Sequence, residues 1–276
     1  MRVFVTGATG YIGSEVVREL IDAGHEVIGL TRSDKGALKL KEAGAEVHLG
    51  SLDDLDSLRS GAAIADGVIH LAFKHDFSDF AGSLATDLQA IKAIGEVLEG
   101  TGKPFLTTAH ANGTASDNAT LELAKRGVRA SVVSLSTSVH GDGDKGFVPR
   151  LINIAREKGF SAYIGDGANR WPAVHRLDAA RLFRLALEAA PAGSRLDGVG
   201  DEGIPFSDIA NAIGRHLNLP VVSITPEEAT AHLGFLGAIA ALDLSRSSVQ
   251  TQELLGWKPE HPTLMEDLEQ GHYFEK

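Results

Sequence analysis

Residues 6–13 read TGATGYIG, and nothing else in the 276-residue chain restricts its fold as strongly. Gly7, Gly10 and Gly13 stand at intervals of three, directly after the apolar run 2–6 and before residues with helical spacing. A bare glycine triplet says little, but between a strand and a helix each glycine has a task. Gly7 permits a tight turn out of the strand. Gly10 lets the backbone approach a pyrophosphate, and Gly13 lets helix and strand pack closely. The helix that opens here offers N–H groups and the positive end of its dipole to an anion.

The same alternation continues downstream. Apolar runs predict strands over 2–6, 25–31, 45–49, 67–73, 104–109 and 128–135. Helical periodicity predicts helices over 14–23, 36–43, 52–60 (capped by Ser51 or Asp53), 83–99 and from about 118 to 126. Near-continuous apolar strands separated by helices imply right-handed crossovers and a parallel sheet covered on both faces. The expected class is α/β: a Rossmann-type doubly wound parallel sheet with a smaller C-terminal substrate domain. Residues 1–142 are assigned to the nucleotide-binding domain, with a helix near 176–190 packing back on it. Residues 143–276 are assigned mainly to a substrate-binding lid. There glycines cluster at 141–146 and 165–167, and helices are expected over 178–190 and 207–217. The most apolar stretch, 232–244, is too short for a membrane span and reads as a buried helix or pocket wall.

Composition serves mainly to exclude. A formal net charge of -11 disfavours a nucleic-acid or anionic-membrane surface. The absence of cysteine removes disulfides, thiolate zinc sites and cysteine nucleophiles, and suits a cytoplasmic, reducing location. The first residues enter a strand with no charged leader and apolar signal core. The eleven histidines are scattered without HxxxH or HExxH spacing, so no metal site is expected. No GxSxG turn occurs either.

The end of the second strand bears on which dinucleotide binds. An acidic residue there usually holds the ribose hydroxyls of NAD. This chain reads Leu30–Thr31–Arg32–Ser33, with no carboxylate before Asp34. Arg32 offers a planar cation suited to a 2′-phosphate, which favours NADP over NAD.

Several motifs together carry a resemblance. TGATGYIGS opens the chain, GSL stands at 50–52, HLA at 70–72, VHGDG at 139–143, VHRLD at 174–178 and LGWKP at 255–259. In this order they resemble the extended short-chain dehydrogenase/reductase superfamily, which includes sugar-nucleotide epimerases, dehydratases and dihydroflavonol-type reductases. The resemblance implies that Gly7, Thr9, Gly10, Tyr11, Ile12 and Gly13 form the phosphate turn. It places Ser51 and Leu52 beside the adenine, Ser51 standing where the family has Asp. It places Leu71, Ala72 and Phe73 along the cofactor ribose, with Thr107 near the cofactor at the end of the fifth strand.

The chain departs from the family in its chemistry. Relatives carry YxxxK at the start of the helix after the fifth strand; here the aligned residues are Gly113 and Asp117. Glycine has no side chain to donate a proton, and aspartate inverts the charge of the lysine. None of the three tyrosines precedes a lysine by four. Thr108, His75 and His110 are the candidates for a replacement. Thr108 is the preferred polar contact at the strand end, against a threonine bonding its own backbone. His110 titrates near neutral pH unless its surroundings intervene, against a solvated loop histidine. His75 follows the fourth strand, with Phe73, Phe77 and Phe80 as apolar wall. Asp87, where relatives carry a helix Asn, reads as a solvated mid-helix carboxylate. His140 and His175 read as structural.

Two classes of function follow. One is an NADP-dependent oxidoreductase acting on a carbonyl or alcohol of a small molecule. Arg150, Arg156, Arg170 and Arg176 leave room for a sugar nucleotide, and with it an epimerase or dehydratase. The other is a cofactor-binding sensor without turnover. The resemblance also implies a homodimer through the helix 83–99 and the helix from 118.

Overall fold

The structure is a computed structural model describing residues 1–76, 78–110 and 113–275. The expected phenylalanine wall residue at position 77 lies outside the described residues. The chain divides into two compact units. The first comprises Met1–Ser134, Ala179–Leu196 and Gln250–Trp257; the second comprises Leu135–Asp178, Asp197–Val249 and Lys258–Lys276.

The first unit begins with β1 (Arg2–Thr6), α1 (Gly13–Asp22), β2 (Glu26–Thr31), α2 (Asp34–Glu42), β3 (Glu46–Leu49) and α3 (Leu55–Ala63). It continues with β4 (Gly67–His70), α4 (Phe80–Leu98), β5 (Pro104–Thr108), α5 (Thr114–Lys125) and β6 (Arg129–Leu135), whose last residue belongs to the second unit. Strand order across the sheet is β3-β2-β1-β4-β5-β6, with β10 (Arg195–Gly198) beyond β6. The ladders from β3 to β6 are all parallel. The fold is thus the α/β, Rossmann-like sheet that the alternation predicts. Its order reverses between β1 and β4, the position at which open α/β sheets bind ligands beyond their carboxyl ends. Phe4, Ile28, Leu58, Ile91, Ile94 and Phe105 fill a core at one face of this sheet.

Several boundaries differ from the periodicity for local reasons. β4 stops at His70 rather than at residue 73, because the Leu71 and Ala72 N–H groups donate to the Thr6 hydroxyl, each at 3.2 Å. α3 starts at Leu55 because the Asp54 carboxylate, not Ser51 or Asp53, accepts from the Ser57 N–H. α4 starts at Phe80 because Asp79 caps it through the Gly82 N–H.

The second unit holds β7 (Ser138–His140), α6 (Phe147–Lys158), β8 (Ser161–Ile164), β9 (Arg170–His175) and the first turn of α7 (Arg176–Ala189). After the last residues of β10 come β11 (Asp201–Pro205), α8 (Phe206–Leu217), β12 (Val221–Ile224), α9 (Pro226–Leu233) and α10 (Leu236–Ala240). The helix α11 (Val249–Leu255) lies mostly in the first unit, and α12 (Leu264–Glu269) in the second. Two small sheets, β11-β9-β7 and β12-β8, pack around a core with Trp171 and Phe206 at its centre. The apolar stretch 232–244 is two short helices rather than one, broken at Gly234, which takes φ 60°. Among the described residues no helix is long and apolar enough to cross a membrane.

Candidate functional site

A groove of about 850 Å³ opens at the carboxyl ends of β1, β2 and β4. Gly7, Thr9, Gly10, Arg32, Ser51, Leu52, Leu71, Ala72, Phe73 and His75 line it, all of them sequence candidates. Leu30, Thr31, Ser33, Gly50, Asp53, Lys74 and Asp76 also line it; Gly50 belongs to the GSL motif and Asp76 adjoins His75, while Asp53 and Lys74 carry no site signal in the sequence. Lys74, directly after the HLA motif, is paired with Asp53 at 2.5 Å.

The glycines divide the work as the sequence implies. Gly7 adopts φ 70°, and a Cβ there would sit 2.7 Å from the Ala72 nitrogen. At Gly13 a Cβ would fall 2.0 Å from the Gly7 carbonyl oxygen, so only glycine lets α1 start this close to the turn. Gly10 is exposed on the groove, and its N–H donates to the Gly7 carbonyl at 2.9 Å. Tyr11, Ile12 and Gly13 are not among the groove-lining residues; they set the turn behind it.

The helix ends show what the groove can hold. Side chains of Ser33, Asp54 and Asp79 cap α2, α3 and α4. The N-terminus of α1 has no side-chain cap. Its Ser14 and Glu15 N–H groups donate to the Gly10 and Ile12 carbonyls, so what this end offers an anion is chiefly the positive end of its dipole. Arg32 is exposed at the groove with no ion pair among the described residues. A phosphate-bearing nucleotide suits this set, in keeping with the Rossmann-like sheet that carries it.

Beside the groove lies a chain of polar contacts. The Thr6 hydroxyl oxygen accepts from two backbone N–H groups, so its own hydrogen goes to His70 Nδ1 at 2.7 Å. His70 therefore carries its proton on Nε2 and donates it to Asp87 Oδ1 at 3.2 Å. All three residues are buried. Asp87 is thus corrected from a solvated carboxylate to a buried one, and His110 Nε2 lies 3.9 Å from it. Burial pushes the Asp87 carboxyl up, but hydrogen bonds from His70 and Ser116, with the two nearby imidazole rings, hold it below the usual range. His110 is no solvated loop histidine. Burial, opposed by Asp87 and reinforced by His70 and His75, lowers it to about 4. Its ring stacks on Phe73 at 4.0 Å. Phe73 also meets Phe80 and His75 edge-on, at 5.8 and 5.3 Å.

The two strand-end threonines face differently. Thr107 is buried; Thr120 donates to the Ser116 carbonyl, so Thr107 donates to Thr120 at 3.1 Å. Its side chain is committed to α5, and it is absent from the groove lining where the sequence placed it. The Thr108 hydroxyl is buried with no hydrogen-bond partner among the described residues.

The model of the NmrA-like family matches residues 1–97, the span that holds the glycine turn, Arg32, the HLA motif and Asp87. An uncharacterized protein of Schizosaccharomyces pombe is 51% identical over 99% of this chain and 100% of its own length. The chain is an NmrA-like member of the extended short-chain dehydrogenase/reductase superfamily. A 2-alkyl-3-oxoalkanoate reductase of Stenotrophomonas maltophilia is 28% identical over 87% of the chain and 82% of its own. Among solved structures, the dTDP-glucose 4,6-dehydratase DesIV of Streptomyces venezuelae, with NAD and TYD bound, superposes with TM-score 0.77. It is 18% identical, over 99% of this chain and 97% of that one, a likeness of fold.

In this NmrA-like chain the usual tyrosine and lysine positions are closed to their chemistry. A Cβ at Gly113 would lie 2.9 Å from the His110 carbonyl oxygen, so the turn at His110 occupies that space. Asp117 is tied to Arg195 at 3.2 Å. In the second unit, ligand atoms of His175, Asp178 and His261 come within 4.8 Å of one another, a grouping the scattered sequence positions hid. Their arrangement is structural. The His175 and His261 rings are stacked 11° from parallel, so lone pairs confined to two stacked planes do not converge on one ion. Asp178 accepts from the Glu260 N–H and from the N–H and ring of His261.

Proposed function

We propose that this protein is an NADP-dependent oxidoreductase that interconverts a carbonyl and the matching alcohol on a small molecule. The carrying observation is the groove's polar inventory: an uncapped α1 terminus at a glycine turn and an Arg32 with no ion pair among the described residues; His110 stacks on the lining residue Phe73, while neither His110 nor Thr108 lines the groove itself. A bound nicotinamide would supply or accept the hydride. Thr108 offers a hydroxyl to the substrate oxygen, and His110 offers a neutral imidazole. Phe73 and Phe80 supply apolar wall. The name of the Stenotrophomonas relative points to 3-oxo acids as the first substrates to try.

The test is to titrate NADPH and NADH by fluorescence, then follow NADPH oxidation with a panel of ketones, aldehydes and 3-oxo acids. Tighter binding of NADPH and turnover of a carbonyl are expected. Tight binding with no turnover across the panel would favour a second reading, a cofactor-binding sensor. Gly113 and Asp117, in place of tyrosine and lysine, favour that reading. No binding of either nucleotide defeats both. We also propose a homodimer through α4 and α5, as the superfamily resemblance implies; a monomer by light scattering would remove it.

A further inference from the structure

Asp87 presents a problem that neither reading of the groove explains. An ionised carboxylate within a core is costly unless it is paired and hydrogen-bonded. Here it sits in α4 at 1% exposure, and the sheet brings a two-residue chain, Thr6 and His70, to it. The Thr6 oxygen is saturated by two backbone donors, which forces its hydrogen onto His70 Nδ1. That fixes the neutral His70 tautomer and points an N–H at Asp87. A purely structural core would manage with an apolar residue at 70 and an asparagine or leucine at 87. The same Oδ1 that His70 reaches lies 3.9 Å from Nε2 of His110, a ring with no hydrogen bond to either nitrogen among the described residues, and Asp87 Oδ2 is buried without a partner among them.

We infer that Asp87 is a positioning residue for His110, and that this dyad, braced by Thr6 and His70, does the proton work that tyrosine and lysine do elsewhere. The inference rests on the oxidoreductase reading for its chemistry, but not for its geometry. Asp87 favours the His110 tautomer with hydrogen on Nε2, leaving Nδ1 as the free base. In the oxidation direction an alcohol would lose its O–H proton to His110 Nδ1 and its C–H hydride to a nicotinamide, were one bound at the groove. The carbonyl double bond forms as those two bonds break. The imidazolium so formed lies beside the Asp87 carboxylate and later releases its proton to water; reduction runs the same steps backwards. The groups facing His110 are Asp87, His70 and His75, and of these only Asp87 favours the protonated ring. Asp87 is the one neighbour that draws a proton toward the ring, against the burial that holds it at about 4.

The experiment is long-range proton–nitrogen NMR on protein with 15N-labelled histidine at pH 7, in wild type, Asp87→Asn and Thr6→Val, with NADPH titrated into each. In wild type, His70 and His110 should both be neutral and protonated on Nε2. Asp87→Asn should remove the single tautomer of His110, and Thr6→Val should remove that of His70. NADPH affinity should change less than about threefold in Asp87→Asn, since that residue does not line the groove. A wild-type His110 protonated on Nδ1, or His110 signals unchanged in Asp87→Asn, overturns the dyad. Should the variants fail to fold, the wild-type tautomers alone decide. Should NADPH fail to bind wild type, the function proposed above falls while the tautomers still report on the dyad.

Discussion

Two clusters at the carboxyl end of one sheet use their polar groups in opposite ways. Around the glycine turn, groups are left open: α1 has no side-chain cap, and Arg32 has no ion pair among the described residues. Around Asp87 most are committed: Thr6 to His70, His70 to Asp87 Oδ1, with two backbone N–H groups anchored on Thr6, and only Asp87 Oδ2 lacks a partner in this chain of contacts. An uncapped helix end and an exposed cation suit a ligand that arrives with its own charge. A closed relay suits a charge that must persist in the fold without a ligand. Sharing a sheet edge therefore does not imply sharing a task.

The largest effect should come from filling the turn. Gly13→Val would put a Cβ where the Gly7 carbonyl oxygen stands, 2.0 Å away. Either α1 moves or the turn does, and both destroy the anion site. NADPH binding should fall below detection, and urea unfolding should show a loss of about 1–3 kcal/mol, as for overpacking with backbone shifts. Retained binding would mean that the open cluster does not depend on this geometry.

Arg32→Ala should follow. A charge-assisted contact to a 2′-phosphate is worth about 1.5–3 kcal/mol, which corresponds to roughly 10- to 100-fold in affinity. NADPH affinity should fall by that factor while NADH affinity changes little. Equal losses for both nucleotides would show that Arg32 serves the shared part of the dinucleotide.

How far these clusters were legible in the sequence differs in the same way. The glycine turn is local: Gly7, Gly10 and Gly13 fall within one octapeptide, and their spacing states their roles. Arg32 is legible because its distance from the turn is set by one helix and one strand. Asp87 was misread because nothing near it in sequence marks it as buried. Its partner His70 lies 17 residues away, on another element, and His110 beyond a further strand. Only the register of β4 beside β1, which pairs Thr6 with His70, assembles the relay. Thr107 and Thr108 illustrate the limit on a smaller scale. Both occupy the strand end, but which one faces α5 depends on pleat, and the sequence offers two threonines in a row.

Acid should act on the committed cluster next. His110 is held at about 4, below the ordinary 6.5. Between those values the unfolded chain binds a proton that the folded chain refuses, so stability falls as pH drops from 6.5 toward 4. The effect amounts to at most about 3 kcal/mol from this ring. His110→Phe, which keeps a ring against Phe73, should flatten that part of the slope in urea unfolding at pH 7, 5.5 and 4.5. His175 in the second unit, also held at about 4 by burial and the charges of His140 and His261, should keep the remainder. An unchanged slope in His110→Phe would mean that the ring is solvated.

The smallest effect on stability, and the sharpest on the comparison, belongs to Thr108. It stands in the committed region but behaves like a member of the open one, since its buried hydroxyl has no partner among the described residues. Thr108→Val keeps the shape and removes only that hydroxyl. Deleting an unsatisfied buried polar group relieves a desolvation cost, so unfolding free energy should stay within about 0.5 kcal/mol of wild type or rise. Turnover of a carbonyl should nevertheless fall about 10- to 100-fold, because a donor aimed at the developing oxygen charge is lost. A hydroxyl that costs stability and supports turnover is held for a substrate. If instead Thr108→Val destabilises the fold by 1–2 kcal/mol and leaves turnover alone, the hydroxyl has a structural partner in solution. The open character of this region would then end at the glycine turn.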